Sequence, residues 1–220
     1  METNFWHERW AKSEIGFHLN EVNPYLIKYF GALKKKSKTS VFVPLCGKSK
    51  DLIWLAEQVE HVIGIELSKK AIDDFFSENK LTPSIIQHER FIEYRYANLT
   101  LLCGDLFQLT AADLTGHHLV YDRASLIAFP PEMRSSYVKK LDEILPNKAQ
   151  RLLITVDYPQ HEMKGPPFSV PPDEVHQYFS SRYDIQCLQS EDILDASKRF
   201  KDRGVTRMLE HVFLLTDKTA

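Results

Sequence analysis

A chain of 220 residues is long enough for one sizeable hydrophobic core, and 43% hydrophobic, 26% charged and 11% aromatic residues are the proportions of an ordinary globular protein. A formal net charge of −2 gives no electrostatic reason to expect nucleic acid or an anionic membrane as a partner, so a small-molecule ligand is expected. Cys46, Cys103 and Cys187 lack CxxC-type spacing, the start lacks a signal-peptide pattern, and no apolar run reaches membrane-spanning length, which predicts a cytoplasmic protein without disulfides or a membrane segment.

Residues 1–30 are polar but studded with aromatics, and Trp6 and Trp10, four apart, fall on one face of a helix. Lys34, Lys35, Lys36 and Lys38 have no interleaved aromatic and read as a solvated linker. Residues 1–38 are expected to form an N-terminal lid segment of a single domain whose sheet core occupies 39–220. From residue 41, short apolar runs alternate with amphipathic helices, the pattern of a parallel sheet with crossover helices. Strands are predicted at 41–45, 61–66, 99–104, 118–122 and 151–157.

Leu52, Leu55, Ala56 and Val59 recur at helical spacing, and Ser68 can cap a second helix whose stripe is Ala71, Ile72, Phe75 and Phe76. Residues 84–97 suit either an extra strand or an inserted loop. Pro130 and Pro131 open a helix carrying Met133, Tyr137, Leu141 and Ile144 on one face, and Pro146 marks its end. The segment from Pro159 to Pro172 is too rich in proline for a helix or an inner strand and should form a semi-rigid wall. A helix near 173–180, burying Val175, Tyr178 and Phe179, precedes strands at 184–189 and 208–216. With no helix between them, those last two strands suggest an antiparallel edge.

In open α/β sheets ligands bind beyond the carboxyl ends of the strands. The first strand runs into a loop containing Gly47, and the second ends in Glu66, nineteen positions on, about the offset at which a carboxylate meets ribose hydroxyls. Residues 41–66 are therefore expected to hold an adenosine-containing cofactor. A phosphate-binding loop at GKS (47–49) is excluded, because it needs a glycine where Phe42 stands. Asp105 could accept from an adenine amine with Leu106 and Phe107 over the ring, or could simply cap a turn. Arg123 follows an apolar strand, where its charge requires a partner. No histidine pair has HxxxH spacing, so no metal is expected, and GxSxG is absent.

The segments WHERW (6–10), GFH (16–18), VFVPLCGKS (41–49), GIELS (64–68), DRASL (122–126) and GPPFSV (165–170) together resemble the thiopurine S-methyltransferase family in its bacterial form. The resemblance spans almost the whole chain. It implies a Rossmann-like class I methyltransferase: an α/β fold with a seven-stranded, mostly parallel sheet, an antiparallel edge strand and helices on both faces. It also implies S-adenosyl-L-methionine as methyl donor, S-adenosyl-L-homocysteine as product and no metal. By the same resemblance Trp10, Leu45, Glu66 and Arg123 are cofactor contacts, Asp105 and Leu106 lie at the adenine, and Phe17 lines the acceptor site. Arg123 would also align the acceptor or the cofactor. The implied activity is in-line methyl transfer to the sulfur of thiopurines or related aromatic and heterocyclic thiols, by a monomer. Alternatives are methylation of selenium or tellurium species and, in another class, a non-catalytic S-adenosylmethionine-binding regulator.

Overall fold

A computed structural model of the protein describes residues 3–33 and 39–218. The basic run Lys34, Lys35, Lys36 and Lys38 lies outside the described residues. The chain opens with α1 (Thr3–Ala11) and α2 (Pro24–Tyr29). Asn23 caps α2 by accepting the N–H groups of Tyr25 and Leu26, with Pro24 in the first turn, where a missing N–H costs nothing. Then follow β1 (Ser40–Val43), α3 (Asp51–Gln58), β2 (His61–Glu66), α4 (Lys69–Glu78), β3 (Ser84–Gln87), β4 (Ile92–Tyr96), β5 (Leu99–Cys103) and β6 (Leu119–Arg123). The remainder is α5 (Pro131–Ile144), β7 (Gln150–Asp157), α6 (Pro172–Phe179), β8 (Tyr183–Asp192), α7 (Lys198–Lys201) and β9 (Leu209–Asp217).

The inner strands are apolar throughout because both of their faces are covered. Phe42, Ile63, Ile65, Leu102, Val120 and Leu153 turn to one face, where α5 and α6 contribute Tyr137, Leu141, Val175 and Phe179. Val41, Val43, Val62, Leu101, Tyr121 and Ile154 turn to the other, under Leu26 of α2, Leu52 and Leu55 of α3, and Ile72 and Phe75 of α4. The predicted helices on both faces are thus present.

The strands run β3-β4-β5-β2-β1-β6-β7-β9-β8. The seven from β5 to β8 are the expected sheet, and the hairpin β3–β4, antiparallel to itself and to β5, extends it to nine. That hairpin occupies the segment left open between a strand and a loop. All four residues of β3 are exposed, so no buried alternation marks it in the sequence. The late antiparallel strand is β9, and it lies one position inside the edge. After α6 the chain enters β8 two positions beyond β7, and β9 returns to fill the slot between them, antiparallel to both. Predicted and observed ends agree within three residues; β1 stops at Val43 because Pro44 and Leu45 already turn.

The N-terminal segment is divided. Leu26, Phe30 and Leu33 are fully buried, the Asn23 N–H donates to Asp51 Oδ1 at 2.7 Å, and the Tyr25 hydroxyl donates to Glu191 Oε2 at 2.9 Å. Residues 23–33 are therefore anchored to the core by one face, and the part preceding them lies over the carboxyl ends of the strands.

Candidate active site

β1 has β2 on one side and β6 on the other, both parallel to it, so the crevice beyond β1 and β6 is the switch point of the sheet. The two loops leaving these strands are tied together where Ser125 Oγ donates to the Pro44 carbonyl at 2.9 Å. Each contains a non-glycine residue in the left-handed region, Leu45 at φ +46 and Ala124 at φ +63. Such strain at a residue other than glycine persists only where the surroundings enforce it, and it gathers at ligand sites. The turn at Leu45 sends the Cys46 N–H to the Ile65 carbonyl (2.9 Å) and the Gly47 N–H to Glu66 Oε2 (3.0 Å). Gly47 itself has φ +54, and a Cβ there would come within 3.2 Å of the Trp10 ring.

Glu66 ends β2 with 6% of its surface exposed. Its Oε1 accepts the Ser68 N–H at 2.8 Å, so each oxygen has one N–H donor and spare acceptor capacity. Burial pushes its carboxyl up to about 7, against the lowering by the Ser68 and Gly47 N–H groups. No lysine, arginine or histidine forms an ion pair with it among the described residues. A buried carboxylate with unused lone pairs facing a cavity is a ready acceptor for a pair of ligand hydroxyls.

Three cavities meet at Leu45, which walls all of them. The first, about 140 Å³, is bounded by Trp6, Trp10, Phe17, Ile127, Pro166 and Pro167 and reaches Glu66. The second, about 30 Å³, lies among His18, Gly47, Lys48, Ser49, Asp51 and Arg123. The third, about 210 Å³, is enclosed by Gly104, Asp105, Leu106, Phe107, Phe129 and Met133. Each is smaller than the roughly 300 Å³ of an ordinary ligand pocket, so an extended ligand would occupy the joined cleft.

The residues predicted for the site distribute over these three chambers. Trp10, Phe17, Leu45 and Glu66 border the first, Arg123 the second, and Asp105 and Leu106 the third. Trp10 is 3% exposed, and Phe17 stands edge-on to both Trp6 (5.9 Å) and Trp10 (5.6 Å), so the tryptophans on one face of α1 share one aromatic partner. The Arg123 side chain makes no hydrogen bond or ion pair with a described residue, while its carbonyl accepts from Ser125 Oγ at 3.4 Å. Asp105 Oδ1 accepts the Phe107 N–H at 2.9 Å and caps the 3-10 turn Leu106–Gln108, so one oxygen is committed to the turn. Just below, fully buried Asp122 accepts from Tyr137 at 2.8 Å and faces the Arg151 guanidinium at 3.7 Å, fixing the end of β6.

Sequence reasoning passed over Ile127, Arg199, Phe200 and Arg203, all on the first cavity. The available signal was Phe200, a lone aromatic within the charged stretch 195–203 and only 3% exposed. Among the described residues no group of three or more His, Cys, Asp or Glu side chains is arranged to hold a metal, and no helix is long and apolar enough to cross a membrane.

A strand order centred on this switch point, with a buried acid ending β2, is the architecture of the Rossmann-like class I methyltransferases. An S-adenosylmethionine-dependent methyltransferase from Anabaena variabilis superposes with a TM-score of 0.68 over 98% of this chain and 95% of its own, at 14% identity, a likeness that speaks for the fold alone. The sequence model of the thiopurine S-methyltransferase family matches residues 1–218. Over 215 residues the chain is 49% identical to the thiopurine S-methyltransferase of Pseudomonas paraeruginosa, covering 98% of this chain and 99% of that one. Over 220 residues it is 48% identical to that of Pseudomonas fluorescens, covering 100% and 99%. The chain belongs to the thiopurine S-methyltransferase family.

Proposed function

We propose that this protein transfers a methyl group from S-adenosyl-L-methionine to the sulfur of thiopurines or related aromatic and heterocyclic thiols. The observation that carries the reading is the junction at Leu45, where a buried carboxylate with spare acceptor capacity opens into the same cavity as an aromatic and proline wall. Glu66 would take the two ribose hydroxyls, Leu106 and Phe107 would flank the adenine with Asp105 at its edge, and Arg123 would face the amino-acid carboxylate. Leu45 and Trp10 would cover the centre, leaving Phe17 toward the acceptor. When bound, the donor would supply a sulfonium-activated methyl that passes in line to the acceptor sulfur as S-adenosyl-L-homocysteine leaves.

The protein's part is alignment and exclusion of water, which rigid apolar walls perform without a charged group at the reacting atoms. Trp6, Trp10, Phe17, Pro166 and Pro167 make such walls. Heteroaromatic thiols ionise readily, so their proton passes to solvent before transfer. The lid belongs to residues preceding Asn23, since α2 is bonded into the core. The protein would act as a cytoplasmic monomer on small molecules.

An assay with methyl-labelled donor and 6-mercaptopurine or thiophenol tests this directly. Labelled thioether should form, and Glu66→Gln or Arg123→Ala should each reduce its formation at least about tenfold. Donor binding with no transfer to any thiol would leave a donor-binding regulator, and absence of donor binding would end the reading altogether.

A further inference from the structure

The hairpin β3–β4 lies outside the seven-strand sheet, and none of its residues borders the three chambers. Its turn is nevertheless built into the molecule. The His88 N–H donates to the Phe91 carbonyl at 2.9 Å, and Phe91, 5% exposed, joins the apolar cluster of Leu102, Leu106 and Leu109. β5 ends at Cys103, and the residue after it is the glycine that permits this approach. A Cβ on Gly104 would come within 2.6 Å of the Phe91 ring and 3.1 Å of the Arg90 carbonyl. The Gly104 N–H donates to the Glu66 carbonyl at 2.9 Å, so Gly104 joins the hairpin to the acid that ends β2, at the edge of the third chamber.

Arg90 completes the grip. Its Nη1 donates to the Gln108 carbonyl at 2.5 Å, and its two terminal nitrogens meet the two Asp113 oxygens at 3.0 and 3.1 Å. The guanidinium also lies 5.0 Å from the centre of the Phe91 ring. Gln108 ends the 3-10 turn that Asp105 caps, and Asp113 accepts the Thr110 N–H at 2.7 Å and its hydroxyl at 2.8 Å. One side chain of the hairpin thus holds the far end of a segment whose near end, 104–107, walls the third chamber. A lone exposed ion pair contributes little. A two-pronged pair reinforced by a carbonyl bond is fixed in direction, which a 3-10 turn with its poorer hydrogen-bond geometry is not by itself.

The geometry points to the hairpin as a buttress for the donor's base, with Arg90 and Phe91 as positioning residues that hold the turn at 104–108 in the shape that receives adenine. This rests on the placement of adenine beside Asp105 and Leu106 proposed above and gives that placement its support. Neither Arg90 nor Phe91 touches the chamber; they act through Gln108, Asp113 and Gly104. Loosening the grip should therefore weaken the donor at its base and leave the acceptor end of the cleft as it is.

The test is calorimetric titration of the wild type, Arg90→Ala and Arg90→Lys with S-adenosyl-L-homocysteine and with S-inosyl-L-homocysteine, whose base bears a carbonyl oxygen in place of the adenine amine. Methyl transfer to thiophenol is followed alongside at saturating donor. The wild type should prefer the adenine ligand by about tenfold or more, because a carboxylate accepts from an amine and repels a carbonyl oxygen. Arg90→Ala should weaken S-adenosyl-L-homocysteine about five- to tenfold and cut that preference at least about threefold, with kcat and the KM for thiophenol held within about twofold. Arg90→Lys should recover part of the loss through a single bond. Titration stoichiometry counts the folded molecules, so partial misfolding leaves each Kd intact. An unchanged Kd in Arg90→Ala, equal weakening of both ligands, or a fall in kcat alone overturns the buttress while donor binding stands. A wild type that binds the two ligands alike removes the adenine seat and the inference with it. If the wild type binds neither, the donor reading itself falls.

Discussion

Burial raises the Glu66 carboxyl from 4.5 to about 7, and the direction fixes two outcomes. A folded value above the unfolded one means that the contribution of Glu66 to stability is fully present below pH 4.5 and is lost as the pH rises through about 7, roughly 3 kcal/mol over that interval. His117 slopes the opposite way: burial lowers it to about 4, so its contribution is present above 6.5 and fades as the pH falls toward 4. The readout is therefore the difference in melting temperature between wild type and Glu66→Gln, which should shift in favour of the variant from pH 5 to pH 8. Ligand hydroxyls donating to Glu66 would stabilise its ionised form. Donor affinity measured by calorimetric titration should then fall below pH 7 by up to tenfold per unit, and Glu66→Gln should bind roughly 10–100-fold more weakly with little pH dependence. Glu66 was legible in the sequence because its distance from Gly47 follows from one strand–loop–helix unit. The strain at Leu45 was not, since a positive φ belongs to the backbone and leucine gives no sign of it. Arg199 and Arg203 were hidden for a different reason: a run of charges reads as a solvated face, and only the fold turns these two toward the first cavity.

Among the elements, β6 bears the heaviest local demand, with Asp122 buried on one face and Arg123 presented to the cleft. Arg151 on β7 is also fully buried, its guanidinium 4.7 Å from the Phe179 ring centre and 5.5 Å from that of Tyr183. Asp122→Asn leaves that cation without its charge partner and should cost about 3–5 kcal/mol in urea denaturation. Adding Arg151→Met should recover part of the loss, because the apolar side chain removes the stranded charge; a strictly additive double variant would show that the two do not act as a pair. The inner strands β1, β2, β5, β6 and β7 were legible as short apolar runs because both faces of each are covered. The hairpin β3–β4 was not, because β3 buries nothing and β4 buries only Glu93 and Tyr94 fully. The inward place of β9 was equally invisible, for strand order depends on which slot a crossover skips and not on the residues of the strand.

At the scale of the whole molecule, the sheet with its two covered faces is a fixed base, and the cleft is closed from above by a much smaller structure. Trp6, Trp10 and Phe17 pack together before Asn23, with the Trp10 ring beside Gly47 of the loop after β1, whereas Leu26, Phe30 and Leu33 belong to the core. Hydrogen exchange followed by mass spectrometry should therefore show amides in 5–18 slowed about tenfold or more by S-adenosyl-L-homocysteine, with 24–33 unchanged. Equal protection across 5–33 would place the moving boundary elsewhere. Leu45, finally, sets the terms on which this scaffold can be re-engineered. Because one side chain walls all three chambers, a substitution that enlarges the space for a new acceptor also loosens the seat of the donor, so gains in substrate range bought there are paid in donor affinity. Ile127 and Pro167 border the first chamber without touching the other two, and a library aimed at new acceptors has its free parameters at those positions.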